Sequence, residues 1–157
     1  MKTLKKQMQK MLKNQKGLTL VELLAVIVIL GIIAAIAIPA IANIIDNSRK
    51  DAHIANAEAL VNASRLAIAG ENIVGDETFV VVGDTEGEDL VELGYMNDSL
   101  SDPDGGTYDD AYVRYTAETN SFEVFLDDYL RDAADSDTNG ADIEDLRGEN
   151  GRDRVQR

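Results

Sequence analysis

Apolar and polar positions are distributed very unevenly along the 157-residue chain. Residues 1–17 are hydrophilic, and from Leu23 to Ile45 no charged residue occurs at all. Counted from Leu18, this apolar run has 28 residues with Glu22 as its one charge. As a helix it would reach ~42 Å at about 1.5 Å per residue, enough to cross a ~30 Å hydrocarbon core with some tilt. Soluble helices seldom stay apolar on every face for so long, so the run predicts a membrane helix. Gly31 and Pro39 within it fit that reading, since both are commoner in membrane helices than in soluble ones. Pro39 removes one backbone donor and is expected to bend the helix near Ala35.

Past Pro39 the pattern becomes amphipathic. Ile41, Ile45, Ser48, Ala52, Ala55, Ala59, Asn62, Leu66 and Ala69 recur by fours and threes, and seven of the nine are apolar. The stripe predicts that the helix continues to Ala69, packs this face on a sheet, and stops at Gly70. His53 and Lys50 fall on the other side and are expected in solvent.

After Gly70 the period changes. TFVVVG, residues 78–83, is rich in β-branched residues and reads as a strand. DLVELGYM (89–96) reads as one helical turn ending at Gly94, and SDPDGG (101–106) as a turn cluster. AYVRYT (111–116) and SFEVFL (121–126) alternate across AETN, predicting a hairpin with Phe122, Val124 and Leu126 towards the helix. From Asp127 onwards apolar residues are few, which predicts an acidic, largely flexible tail. The expected fold class is therefore α+β, a long N-terminal helix packed on a small antiparallel sheet.

Charge sharpens this division. Residues 1–17 hold six lysines and no acid, which leaves nine basic residues against all 29 acidic ones in the remainder, a net charge of −20. Basic residues before the apolar run and acids after it place the leader in the cytoplasm and the rest outside, by the positive-inside bias. So acidic a domain argues against direct nucleic-acid binding, which depends on Lys and Arg. No cysteine is present and His53 is the single histidine, so disulfides, thiolate metal sites and His-based triads are excluded or unsupported. Composition speaks against an enzyme, and no catalytic residue is assigned.

A secretory signal would place its apolar core before a small-residue cut site. Here the basic leader ends at Gly17 and the apolar run follows. Gly17-Leu18-Thr19-Leu20-Val21-Glu22, with the run continuing to Pro39, resembles the processing site of type IV prepilins and of type II secretion and competence pseudopilins. The resemblance covers roughly residues 16–42. It implies cleavage between Gly17 and Leu18 by a prepilin peptidase and N-methylation of Leu18. Leu18 departs from the Phe or Met that family members most often carry there.

The motif also offers a reason for Glu22. An ionised side chain in a membrane helix costs about 2.5–3.5 kcal/mol on insertion scales. No basic residue lies between Leu18 and Arg49, but cleavage would create an α-amine four residues before Glu22. That amine could meet the Glu22 of a neighbouring subunit and set the axial stagger, as the resemblance implies. The alternative is a carboxylate solvated at the headgroup boundary. By the same resemblance, the stretch from Gly31 to Pro39 loosens during assembly, the alternative being an ordinary kink.

One more cluster bears on chemistry. Asp135, Asp137 and Asn139 followed by Gly140 match the first half of a calcium-binding EF-hand loop, with Asp142 close by. The twelfth position is Leu146 rather than glutamate, and a solvated acidic segment is the preferred reading. No other cofactor is expected.

The divisions expected from sequence are a cleaved leader (1–17), a membrane and assembly half-helix (18–45), an amphipathic half-helix (46–70), an exported sheet head (71–130) and an acidic tail (131–157). Together they suggest a structural subunit of a pilus-type filament. Its partners would be further copies of itself, the prepilin peptidase, a membrane assembly platform and the lipid bilayer, with the cell surface as destination. The alternatives are a pseudopilin of a secretion or competence system and a monomeric, membrane-anchored, cation-binding module.

Overall fold

The computed structural model describes residues 19–97, 100–130 and 140–156. One long helix, α1 (Leu20–Glu71), is followed by strands β1 (Glu77–Val82), β2 (Glu88–Asp89), β3 (Ala111–Thr116) and β4 (Ser121–Leu126). The chain closes with β5 (Ala141–Asp142), a short helix α2 (Ile143–Arg147) and a 3₁₀ turn at Gly151–Arg154. Contacts divide it into two units, Met1–Asn43 and Ile44–Arg157.

In the first unit the large apolar side chains stand exposed, from Leu20 through Ile41. The segment is long and apolar enough to cross a membrane. In water such a surface would be costly, because apolar area favours burial at roughly 25 cal/mol per Å². In lipid that cost vanishes. Pro39 lies inside α1, which continues past it to Glu71.

The second unit is an α+β fold in which the later part of α1 contributes to one hydrophobic core with the sheet. The sheet order is β2-β1-β3-β4-β5. Strands β3 and β4 form the expected hairpin, with Ala111 opposite Leu126 and Thr116 opposite Ser121. Strand β1 pairs antiparallel with β3, with an irregularity between Val80 and Val82. The sheet is mixed rather than purely antiparallel, because β2 runs parallel to β1. A parallel return normally needs a long crossover. Here only two residue pairs form, and a short loop suffices. Gly87 permits the approach: a Cβ there would lie 2.4 Å from the Thr78 carbonyl oxygen.

The segment after β2 forms the single turn expected there. The Asp89 carboxylate accepts from the amides of Val91 and Glu92, and Gly94 closes the turn at φ 78°.

The buried face of α1 is not the predicted stripe. His53, Ala57, Leu60, Val61, Ala63, Ser64 and Ala67 are buried, whereas Ala55, Ala59, Asn62, Leu66 and Ala69 are exposed. Alanine is abundant on both sides of this helix and does not discriminate between them. The branched Leu60 and Val61 decide the face, and two polar residues with internal partners disguise it. Ser64 Oγ donates to the Leu60 carbonyl at 2.9 Å, and His53 is accounted for below.

Residues 140–156 also depart from expectation: they close the fold rather than trail from it. Strand β5 pairs with β4, and Ala141, Ile143, Leu146 and Val155 enter the core. Four apolar residues are few in composition, yet all four are buried. Gly140 (φ 100°) makes the entry possible, since a Cβ there would strike the Phe125 ring.

Candidate functional site

The helix start is the first site of interest. Gly17 and Leu18, where cleavage and methylation are expected, lie outside the described residues. Thr19 precedes the first helical residue, and Glu22 follows three positions later. Glu22 Oε2 accepts from the Thr19 amide at 2.8 Å and from the Thr19 hydroxyl at 2.8 Å. The Glu22 amide donates back to Thr19 Oγ1 at 3.3 Å. This is a reciprocal capping box, which satisfies donors that the first helical turn would otherwise leave open. The pattern T-x-x-E before an apolar run could have been read from sequence, where Thr19 was given no role. Glu22 therefore has a local partner in the single chain. Pro39, the other expected assembly residue, lies within the same exposed apolar stretch.

The second constellation lies in the Ile44–Arg157 unit, where the DPDGG turn meets α1. Ser101 bridges to Thr107, Gly105 donates to the Asp102 carbonyl, and the Asp104 amide donates to Asp102 Oδ1 at 2.8 Å. The turn thus presents two carboxylates to the helix. His53, expected in solvent, is fully buried against them. Its Nδ1 lies 2.7 Å from the Tyr108 hydroxyl and its Nε2 lies 3.3 Å from Asp104 Oδ2. The imidazole stacks on Tyr129 with ring centroids 4.2 Å apart and meets the edge of Tyr108. Lys50, also expected in solvent, is half-buried and 3.8 Å from Asp46. Both expectations failed because the helix face was assigned to the wrong side.

The surroundings of His53 are ordered by further bonds. Asn56 donates to the Tyr108 hydroxyl at 3.0 Å, and Arg49 donates to Asp104 Oδ1 at 2.9 Å. The Tyr129 hydroxyl donates to Asp102 Oδ2 at 3.0 Å. Burial pushes the Tyr108 phenol well above its ordinary range, against a smaller opposing effect of the Asn56 hydrogen bond. Burial, then the bond to the Asp102 carboxylate, push Tyr129 up to about 12. Both phenols are therefore neutral at physiological pH.

Two arginines tie the closing segment to α1. Arg152 grips Asp51 with Nε and a second nitrogen, the latter at 2.6 Å, and Arg147 donates to Glu58 at 3.1 Å. Of the calcium candidates, Asp135, Asp137 and Asn139 lie outside the described residues. Asp142 caps α2, accepting from the Glu144 amide at 2.8 Å.

Residues 12–38 match the family described as the prokaryotic N-terminal methylation motif. Two fimbrial proteins of Pseudomonas aeruginosa are each 35% identical to this chain over 95 residues, 60% of it. The chain spans 57% of the length of those relatives. No solved structure matches. A methylation-motif helix, a sheet built on its later part and the similarity to fimbrial proteins together support a type IV pilin-like assignment.

Proposed function

We propose that this chain is the structural subunit of a type IV pilus-type filament. It resides in the membrane through the first part of α1, with its leader in the cytoplasm and its sheet domain outside. A prepilin peptidase cuts between Gly17 and Leu18 and methylates the new amine, and a membrane platform assembles the mature chains. One observation carries the pilus reading: similarity to fimbrial proteins extends over 95 residues, well beyond the motif at residues 12–38 that pilins and pseudopilins share.

The physical logic is a change of solvent. The apolar first part of α1 leaves lipid only if other helices replace the acyl chains around it. Glu22 then sits among apolar neighbours, where an amine attracts a carboxylate far more strongly than in water. The Leu18 amine of one subunit meeting the Glu22 of another fixes the stagger between them. The reading needs no cofactor and no catalytic residue.

Imaging of surface filaments on wild-type cells and on cells deleted for this gene tests it. Long fibres lost on deletion support the pilus subunit. Intact fibres with lost exoprotein release or lost transformation point instead to a secretion or competence pseudopilus. Mature protein that remains monomeric would overturn both.

A further inference from the structure

One imidazole and two carboxylates converge where α1 meets the DPDGG turn. The distance from His53 Nε2 is 3.3 Å to Asp104 Oδ2 and 3.9 Å to Asp102 Oδ1. All three atoms lie within 4.8 Å of one another. His53 is fully buried, and the side chains of Asp102 and Asp104 are 8% and 19% exposed.

Each residue is held from behind by a group outside the trio. Tyr108 holds His53 Nδ1, Tyr129 holds Asp102 Oδ2, and Arg49 holds Asp104 Oδ1. Nε2 lies nearest Asp104 Oδ2 and Asp102 Oδ1, the latter also accepting from the Asp104 amide. Outer partners of this kind orient and fix the ligands in metal sites. Asp102 adds an independent argument. Its carboxylate is more than nine-tenths buried, and among the described residues no lysine or arginine lies within ion-pair distance of it. Its bonded neighbours are neutral donors, the Tyr129 hydroxyl and the Asp104 amide. A buried carboxylate calls for a cation, which here is either a protonated His53 or an ion bound between the three side chains.

The geometry points to a divalent-cation site of the zinc type, built from His53, Asp102 and Asp104. Bonds of about 2.0–2.2 Å from nitrogen and oxygen in a tetrahedron place the ligand atoms ~3.3 Å apart. The His53 to Asp104 separation already has that value, and both the His53 to Asp102 separation and the separation of the two carboxylates, within 4.8 Å, would close on metal binding. Imidazole suits zinc-type ions, whereas calcium and magnesium favour oxygen ligands throughout, so the ligand set selects against both. With Nε2 on the metal, Nδ1–H donates to Tyr108, which fixes the tautomer. Two carboxylates balance the double charge, and water takes the fourth position. The ion would staple the turn to α1, so its binding free energy becomes folding free energy. Its ligands are different residues from those of the 135–142 segment considered for calcium.

His53 is the single histidine of the sequence, which makes it an unambiguous reporter. The full chain in detergent micelles, stripped with chelator, is titrated with zinc alone and followed by NMR of the imidazole and by thermal unfolding. Zinc is expected to move the His53 ring resonances in the pattern of Nε2 coordination and to raise the melting temperature, both reversed by chelator. His53→Gln and Asp104→Asn should lose the thermal shift, and Asp142→Asn should retain it. Unmoved imidazole resonances in excess zinc overturn the proposal, whatever the variants do. So does a thermal shift that survives in His53→Gln and Asp104→Asn while vanishing in Asp142→Asn. Cobalt in place of zinc should give visible absorption bands of a low-coordinate nitrogen and oxygen site.

Discussion

The carboxylate of Glu22 receives two hydrogen bonds from Thr19, each 2.8 Å long, at the first turn of α1. The acid that the filament reading assigns to subunit register thus also caps its own helix. The two roles separate by mutation. Thr19→Ala removes the cap and should weaken the helix start by about 1 kcal/mol, the usual worth of such a residue. Glu22→Val removes both cap and charge. Both variants are expected to be processed, with Thr19→Ala still assembling and Glu22→Val failing. Electron microscopy of cells carrying each variant decides. Equal filament yields from the two would reduce Glu22 to a capping residue.

The proposed cleavage after Gly17 can be tested at the glycine itself. A side chain branched at Cβ would crowd the scissile peptide in the peptidase, so Gly17→Val should arrest the chain before maturation. Intact-mass measurement of the membrane fraction is expected to show residues 1–17 still attached. A mass corresponding to removal of the leader would place the cut elsewhere.

The face of α1 that carries the core can be tested directly. Leu60 is fully buried and Leu66 is 60% exposed, although the sequence pattern favoured the stripe containing Leu66. Leu60→Ala should cost about 2–5 kcal/mol through lost transfer and a residual cavity. Leu66→Ala should stay within about 0.5 kcal/mol. Denaturant unfolding of the two variants measures this. The reverse order would restore the Leu66 stripe as the packed face.

What the sequence disclosed and what it hid follow from the kind of signal each element carries. The apolar run to Ile45 is a continuous local signal and the β3–β4 hairpin a local alternation, and both elements stand where those patterns put them. The packed face of α1 did not, because alanines at 55, 57, 59, 63, 67 and 69 make both sides look alike. His53 misled further: its partners Tyr108, Asp102 and Asp104 are some fifty residues away. A one-dimensional pattern scores a histidine as polar and has no access to a distant partner. The closing segment was hidden for a related reason. Its burial depends on Gly140, on four scattered apolar residues and on arginine pairs to α1, none of which forms a local period.

Those arginine pairs also make stability depend on pH. The Arg152 hydrogen bond holds the Asp51 carboxyl below its ordinary range, outweighing a smaller opposing effect of burial. In the unfolded chain Asp51 titrates near ~3.9, so over the interval between the two values the unfolded state binds more protons. Stability therefore rises with pH across that interval. The contribution of the pair is complete above the unfolded value and fades as pH falls through the folded one. Arg152→Ala should lower the melting temperature at neutral pH and make progressively less difference as the solution is acidified below the ordinary aspartate range. Added salt should shrink the neutral-pH effect too, because both side chains are about half exposed and such pairs are screened. Thermal unfolding of wild type, Arg152→Ala, Asp51→Asn and the double variant at neutral and acid pH supplies the measurement. A coupling between the two sites that persists unchanged in acid would mean that the closing segment is held to α1 by packing of Leu146 and Val155, with the ion pair as a bystander.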